Sequence, residues 1–230
     1  MARALVVQHH PSEGLGWFQE WLPAAGLDVH PIHPYLGHRV PTSVEGDALV
    51  VLGGPMGCMD DDQAQWLPAV RSLLRTAVDD GVPTLGICLG AQLLAAATGG
   101  YVERGPQGPE LGLSVVEVAL GDELLAQGTM SVVQWHFDAV TAAPPDAVPL
   151  ASSMTYPIQA FRVGEVAWGL QFHIEATVAM VEEWARNDAT AIRATGREPE
   201  DVVSQVRFAE QTLIETGEAL AQRFAKLVTG

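Results

Sequence analysis

The stretch TLGICLGAQLLA, residues 84–95, ends an apolar run on Cys88 and begins a helix-like run immediately after it, with Gly86 and Gly90 on either side. Packing is one explanation, because a free cysteine behaves as a small hydrophobe. Chemistry is the other. A helix N-terminus directs unpaired N–H groups and a partial positive charge at whatever sits there, and both favour a thiolate. A second stretch, WGLQFHIEAT at residues 168–177, sets His173 and Glu175 two positions apart. On the tail of a strand, both side chains face the same side. Glu175 then orients His173 and fixes its tautomer, and His173 activates Cys88, which is the nucleophile–base–orienter logic of acyl transfer. A third stretch, LGGPMG at residues 52–57, also follows an apolar run. Its Gly54 N–H and the N–H of Leu89 are candidates for the two donors a developing oxyanion needs.

Taken singly, each residue has a plainer reading. Cys88 is a buried filler, His173 a satisfied histidine, Glu175 a solvated acid and GGP a turn. What joins them is position, since all follow apolar runs and the carboxyl ends of strands line the ligand crevice of an open α/β sheet. Cys58 lies nearby in sequence but has no strand-to-helix elbow, so it ranks behind Cys88. Two cysteines with scattered histidines do not form a zinc pattern, and GGPMG lacks the phosphate-loop lysine. No metal and no cofactor is expected.

The elements that hold these groups can be read from periodicity. Apolar runs at residues 4–8, 48–52 and 84–87 suit buried parallel strands, and 29–32 a weaker one that carries Pro31. Helical spacing occurs at 14–25, at 63–78 and at 89–97, the last stopped by Gly99 and Gly100. Asp60, Asp61 and Asp62 are expected to cap the second of these helices. Repeated crossovers predict an α/β fold, a mostly parallel central sheet with helices on both faces. After Tyr101 come short β-rich segments at 113–118, 131–134, 150–152, 159–163 and 166–171. Some of them extend the sheet and others form a small antiparallel annex. Residues 177–186 and 200–227 read as helices, the second broken near Gly217.

Bulk properties narrow the function. The chain has 230 residues, 48% of them hydrophobic and 17% charged, which suits one domain over residues 1–230 and excludes a disordered chain. Twenty-eight acidic against 12 basic residues give a formal charge of −16, a surface that repels phosphate backbones, so no nucleic-acid partner is expected. The start, MARALVVQHHP, lacks a secretory pattern, and no apolar run reaches ~18 residues. No membrane partner is expected, and the cytoplasm is the expected compartment.

GICLGAQLLA resembles the nucleophile segment of the class I glutamine amidotransferases, LQFHIE their histidine–glutamate segment, and VVLGGPMG their oxyanion strand. LASSMTYPIQAF and QWHFDAV resemble stretches of the stand-alone, guanylate-synthetase-type branch. The resemblance runs from about residue 45 to about residue 176, with a compatible flavodoxin-like start. It implies a flavodoxin-like fold with Cys88 as nucleophile, His173 as base, Glu175 as orienting acid, and Gly54 and Leu89 at the oxyanion hole. It also implies that Gln92 helps hold the substrate amide and that Trp135, His136 and Phe137 line the glutamine pocket. Two positions depart from the family pattern. Ile174 stands where proline is usual, and Phe137 where the nearest branch favours glycine.

The leading expectation is therefore a cysteine-dependent glutaminase that releases ammonia from a glutamine side chain through a thioester. It implies a separate synthetase that consumes the ammonia. A second reading keeps the chemistry and changes the leaving group, giving a γ-glutamyl peptidase or hydrolase of a larger γ-glutamyl amide. A third is a non-catalytic binding or regulatory protein on the same scaffold. A tight pocket favours the first, and a wide groove near Phe137 the second.

Overall fold

The computed structural model describes residues 1–230. In chain order the elements are β1 (Ala2–Val7), α1 (Phe18–Ala24), β2 (Leu27–Ile32), β3 (Ala48–Val51), α2 (Leu67–Asp79), β4 (Thr84–Ile87) and α3 (Leu89–Ala97). There follow β5 (Tyr101–Arg104), β6 (Glu110–Val118), β7 (Gly128–His136), β8 (Asp138–Ala142), β9 (Val148–Ser152), β10 (Ala160–Val163) and β11 (Ala167–Leu170). Four helices close the chain: α4 (Val178–Asn187), α5 (Ala189–Ala194), α6 (Pro199–Phe208) and α7 (Glu210–Thr229).

Nine strands form one sheet in the order β2-β1-β3-β4-β11-β10-β9-β6-β7. From β2 through β11 the neighbours are parallel. From β11 onward every pairing is antiparallel. Strands β5 and β8 make the separate antiparallel annex. The α/β fold and the annex match the expectation. Pro31 is tolerated because β2 is an edge strand, where a missing N–H costs no ladder bond.

The parallel strands are apolar throughout because both of their faces are covered. Ala4 and Val6 of β1 face one side with Ala48 and Val50 of β3, under Phe18, Trp21, Leu220 and Phe224 of α1 and α7. Leu5, Val7, Leu49 and Val51 face the other side, under Leu73 and Leu74 of α2 and Leu93 and Leu94 of α3. A third apolar cluster joins Val133 and Trp135 of β7 to Val181 and Trp184 of α4 and Val202 of α6.

Several expectations need correction. The first helix begins at Phe18, so residues 8–17 are a loop rather than a helical turn. The three aspartates do not cap α2. Asp60 accepts from the Gly57 N–H at 2.8 Å, Asp61 pairs with Arg71 at 2.7 Å, and the helix starts only at Leu67, with a proline in its first turn. The C-terminal helix breaks at Ala209, between α6 and α7, while Gly217 is buried inside α7. Strands β5 and β8 and helix α5 carry no periodicity that announced them.

Candidate active site

Cys88 is the one residue between β4 and α3. Its backbone has φ 50° and ψ −105°, and no other non-glycine residue has a positive φ. Such a conformation costs on the order of 1–3 kcal/mol and persists only where the surroundings enforce it. Here the Cys88 N–H donates to the Leu170 carbonyl at 2.7 Å, and its carbonyl accepts from the Gln92 N–H at 3.0 Å. Glycine is required at position 90, where a Cβ would lie 2.0 Å from the Val51 carbonyl oxygen. The helix can therefore press against β3, and the elbow stays tight. The thiol faces a cavity of about 530 Å³ and points to the Trp135 carbonyl at 3.6 Å.

His173 and Glu175 lie beyond the end of β11, His173 at an isolated bridge and Glu175 in a bend. The chain leaves the ladder because His173 pairs across to β7 instead, its N–H donating to the Val133 carbonyl at 2.8 Å. The two side chains still meet, with His173 Nδ1 2.7 Å from Glu175 Oε1. Both are almost fully buried, and the imidazole packs on Trp184 with ring centroids 4.8 Å apart. Burial acts to lower the His173 pKa. The Glu175 carboxylate and the neighbouring Cys88 outweigh it and hold the imidazole well above its ordinary value. Ile174 turns away into the core.

The remaining expected residues gather around the cavity. Gly54 lies in its wall beside Leu89, and its N–H donates to no carbonyl of the chain. Leu89 opens α3, so its N–H is one of the donors a helix leaves unpaired. Gln92 lines the cavity with its amide nitrogen committed to the Asp138 carbonyl at 3.0 Å and to Gln171 Oε1 at 3.2 Å. Trp135 donates its indole N–H to Asp188 at 2.8 Å. Both nitrogens of His136 are engaged, Nδ1 with the Asp138 carbonyl at 2.9 Å and Nε2 with Glu110 at 3.0 Å. His136 is therefore a strut of the wall. Phe137 is half-buried on the cavity wall, with the Arg104 guanidinium carbon 4.7 Å above its ring.

Other residues at the site escaped sequence reasoning. Gln171 donates to the Cys88 sulfur at 3.7 Å and accepts from Gln92, linking the two. Its place inside the LQFHIE motif was the available signal. Glu13 reaches the cavity from the loop after β1, and Asp188 from the α4–α5 junction. Cys58 is buried apart from the elbow, and burial, with Asp138 nearby, pushes its thiol up to about 11.

Residues 26–188 match the family described as glutamine amidotransferase class-I. The chain belongs to the class I glutamine amidotransferases. It is 31% identical over 193 residues to the glutamine amidotransferase-like protein YfeJ of Salmonella typhimurium, covering 78% of each chain. It is 32% identical over 212 residues to a glutamine-hydrolyzing GMP synthase of Aeropyrum pernix, covering 90% of this chain and 38% of that protein. A solved glutamine amidotransferase from Thermotoga maritima superposes with a TM-score of 0.87 at 27% identity, covering 97% of this chain and 98% of that one. The match of this class I amidotransferase thus takes in most of the YfeJ and Thermotoga chains but only 38% of the synthase.

Proposed function

We propose that this amidotransferase hydrolyses the side-chain amide of glutamine through a thioester on Cys88, within a single domain of residues 1–230 in the cytoplasm. The observation that carries the proposal is the junction of the strained Cys88 elbow with a buried His173 whose far nitrogen is held by Glu175 at 2.7 Å. Sulfur attacks the amide carbon as His173 carries the thiol proton. The C–N bond breaks, His173 passes that proton to the leaving nitrogen, and ammonia departs. Water, activated by the now neutral His173, attacks the thioester, which releases glutamate and restores the thiol. The N–H groups of Gly54 and Leu89 supply the oxyanion donors in both steps, and Gln92, Trp135, His136 and Phe137 shape the pocket.

Ammonia released this way is useful to an acceptor enzyme. The GMP synthases that resemble this chain extend well beyond the matched part, which supports a separate synthetase as partner. Incubation with glutamine, reading ammonia and glutamate separately, tests the proposal. Equal release of both by the wild type, lost in Cys88→Ala, supports it. Unchanged turnover in Cys88→Ala overturns it.

One observation favours a second reading, hydrolysis of a larger γ-glutamyl amide. The cavity of about 530 Å³ falls in the ~300–1,000 Å³ range that holds drug-sized ligands, and Phe137 offers a ring on its wall. A binding-only role is tested by the same assay, since it predicts no turnover of any γ-glutamyl amide.

A further inference from the structure

Glu13 lies on the loop between β1 and α1, which the reaction described above does not use. That loop is fastened onto the surroundings of His173. The Trp184 indole, which packs on the His173 ring, donates to the Ser12 carbonyl at 3.0 Å. The Trp17 N–H donates to the Glu175 carbonyl at 2.8 Å. Between these ties the Glu13 side chain enters a space that only bare backbone leaves open. A Cβ on Gly53 would stand 2.7 Å from Glu13 Oε2 and 3.1 Å from His173 Cε1. The carboxylate oxygen and the carbon edge of the imidazole therefore share the bare face of Gly53, within about 6 Å of each other, a range over which a buried charge acts on its neighbour. Oε2 is buried and has no hydrogen-bond partner. A buried acceptor without a donor is expensive to keep. An imidazolium placed near such an oxygen is stabilised by its charge.

We propose that Glu13 is a positioning residue whose carboxylate, sharing the bare face of Gly53 with the Cε1 edge of His173, stabilises the imidazolium that pairs with the Cys88 thiolate. This rests on His173 and Cys88 being the base and nucleophile. Glu175 and Glu13 then divide the work. Glu175 fixes the ring by a hydrogen bond to Nδ1, and Glu13 acts through its charge. Burial pushes the Glu13 carboxyl up to about 7. His173 acts to lower it, while Glu175, Asp188 and Glu183 push it further up. The support is thus withdrawn when Glu13 takes a proton and restored as the pH rises through about 7.

The test is the pH dependence of Cys88 alkylation by iodoacetamide, with the adduct located by mass spectrometry, in wild type, Glu13→Gln and Glu13→Asp. It needs no substrate. In the wild type the rate rises by about 3–10-fold in a step near pH 7, beyond the rise due to the thiol itself. Glu13→Gln loses that step and is about 3–10-fold slower at about pH 8, while matching the wild type at about pH 6. Glu13→Asp keeps the step at lower amplitude and stands in should the glutamine variant not fold. With glutamine as substrate, Glu13→Gln lowers kcat and leaves KM unchanged. A reactive Cys88 whose profile is the same in wild type and both variants overturns this inference alone, as does a change in KM without one in kcat. A wild-type Cys88 that is inert at every pH overturns the nucleophile assignment and this inference together.

Discussion

His173 Nδ1 lies 2.7 Å from Glu175 Oε1, and each side chain is 1% exposed. A buried pair of this kind fixes which ring nitrogen carries the proton, and in the proposed mechanism the other nitrogen serves the thiol. The two residues have unequal weight. Under the proposed roles, the thiol has no base without the imidazole, whereas without the carboxylate the ring still reaches the right tautomer part of the time. Glu175→Gln is expected to lower kcat/KM for glutamine by ~10–100-fold and His173→Ala by ~10³-fold or more. Steady-state kinetics on folded variants check this, and equal or inverted losses would reverse the roles.

The two cysteines are both free and both buried, yet they differ in chemistry. Cys88 opens a helix at a strained elbow beside His173, whereas Cys58 sits away from the elbow with its thiol pushed up to about 11. A glutamine-like electrophile is therefore expected to label the wild type and Cys58→Ala but not Cys88→Ala. Intact-mass analysis reads the outcome. Labelling that survives Cys88→Ala and vanishes in Cys58→Ala would transfer the role to Cys58.

Where local pattern and tertiary role coincide, the sequence was legible. β4 and α3 fall where the apolar run, Cys88 and the glycine stop place them, because the elbow is specified within a dozen residues. The same holds for the parallel strands, which are apolar because they are covered on both faces. Distant partners were not legible. Glu13 has no periodic neighbours, and only the return of the loop after β1 onto Trp184 and Glu175 brings it to the site. β5 is four residues long, mostly exposed, and exists through its pairing with β8. The acids before α2 looked like caps by composition, but Asp61 had a competing partner in Arg71, which also donates to the Cys58 carbonyl at 2.6 Å. Gly217 looked like a helix break, but its lack of a side chain serves the close approach of α7 to Trp21 and the Ile174 carbonyl.

The strut behind the cavity wall gives a pH-dependent stability. Glu110 bonds to His136 at 3.0 Å and accepts from Ser153 at 2.9 Å. Burial acts to raise its pKa, but the His136 and Ser153 hydrogen bonds win and hold the carboxyl below its ordinary range. A folded pKa below the unfolded value means stability that is present above about pH 4.3 and lost as the pH falls through the folded value. Glu110→Gln is expected to lose on the order of 1–3 kcal/mol at neutral pH, and its stability should fall less steeply than that of the wild type from about pH 5 to about pH 3. Urea unfolding at several pH values measures both. Parallel stability–pH curves would remove Glu110 as the titrating group.

Phe137 decides between free glutamine and a larger γ-glutamyl amide. Glycine at this position leaves space and backbone freedom, and phenylalanine fills the space with a ring. Phe137 lines the cavity and also packs against the third apolar cluster, and the Arg104 guanidinium lies over its ring with its carbon 4.7 Å from the centroid. Arg104 in turn reaches Asp138 at 3.7 Å, so the ring, the cation and the acid form one side of the wall. Free glutamine has little apolar surface to set against such a wall, whereas the amine portion of a larger amide does. The comparison is kcat/KM for glutamine against a γ-glutamyl dipeptide, in wild type, Phe137→Gly and Phe137→Leu. If the larger amide is the substrate, the wild type prefers the dipeptide and Phe137→Gly loses about 1–3 kcal/mol of that preference, roughly 5–150-fold. Phe137→Leu, which keeps bulk but not the ring face, should fall between. Rapid turnover of glutamine by the wild type, with selectivity unchanged in both variants, assigns the ring a structural role and returns the weight to the ammonia-releasing glutaminase.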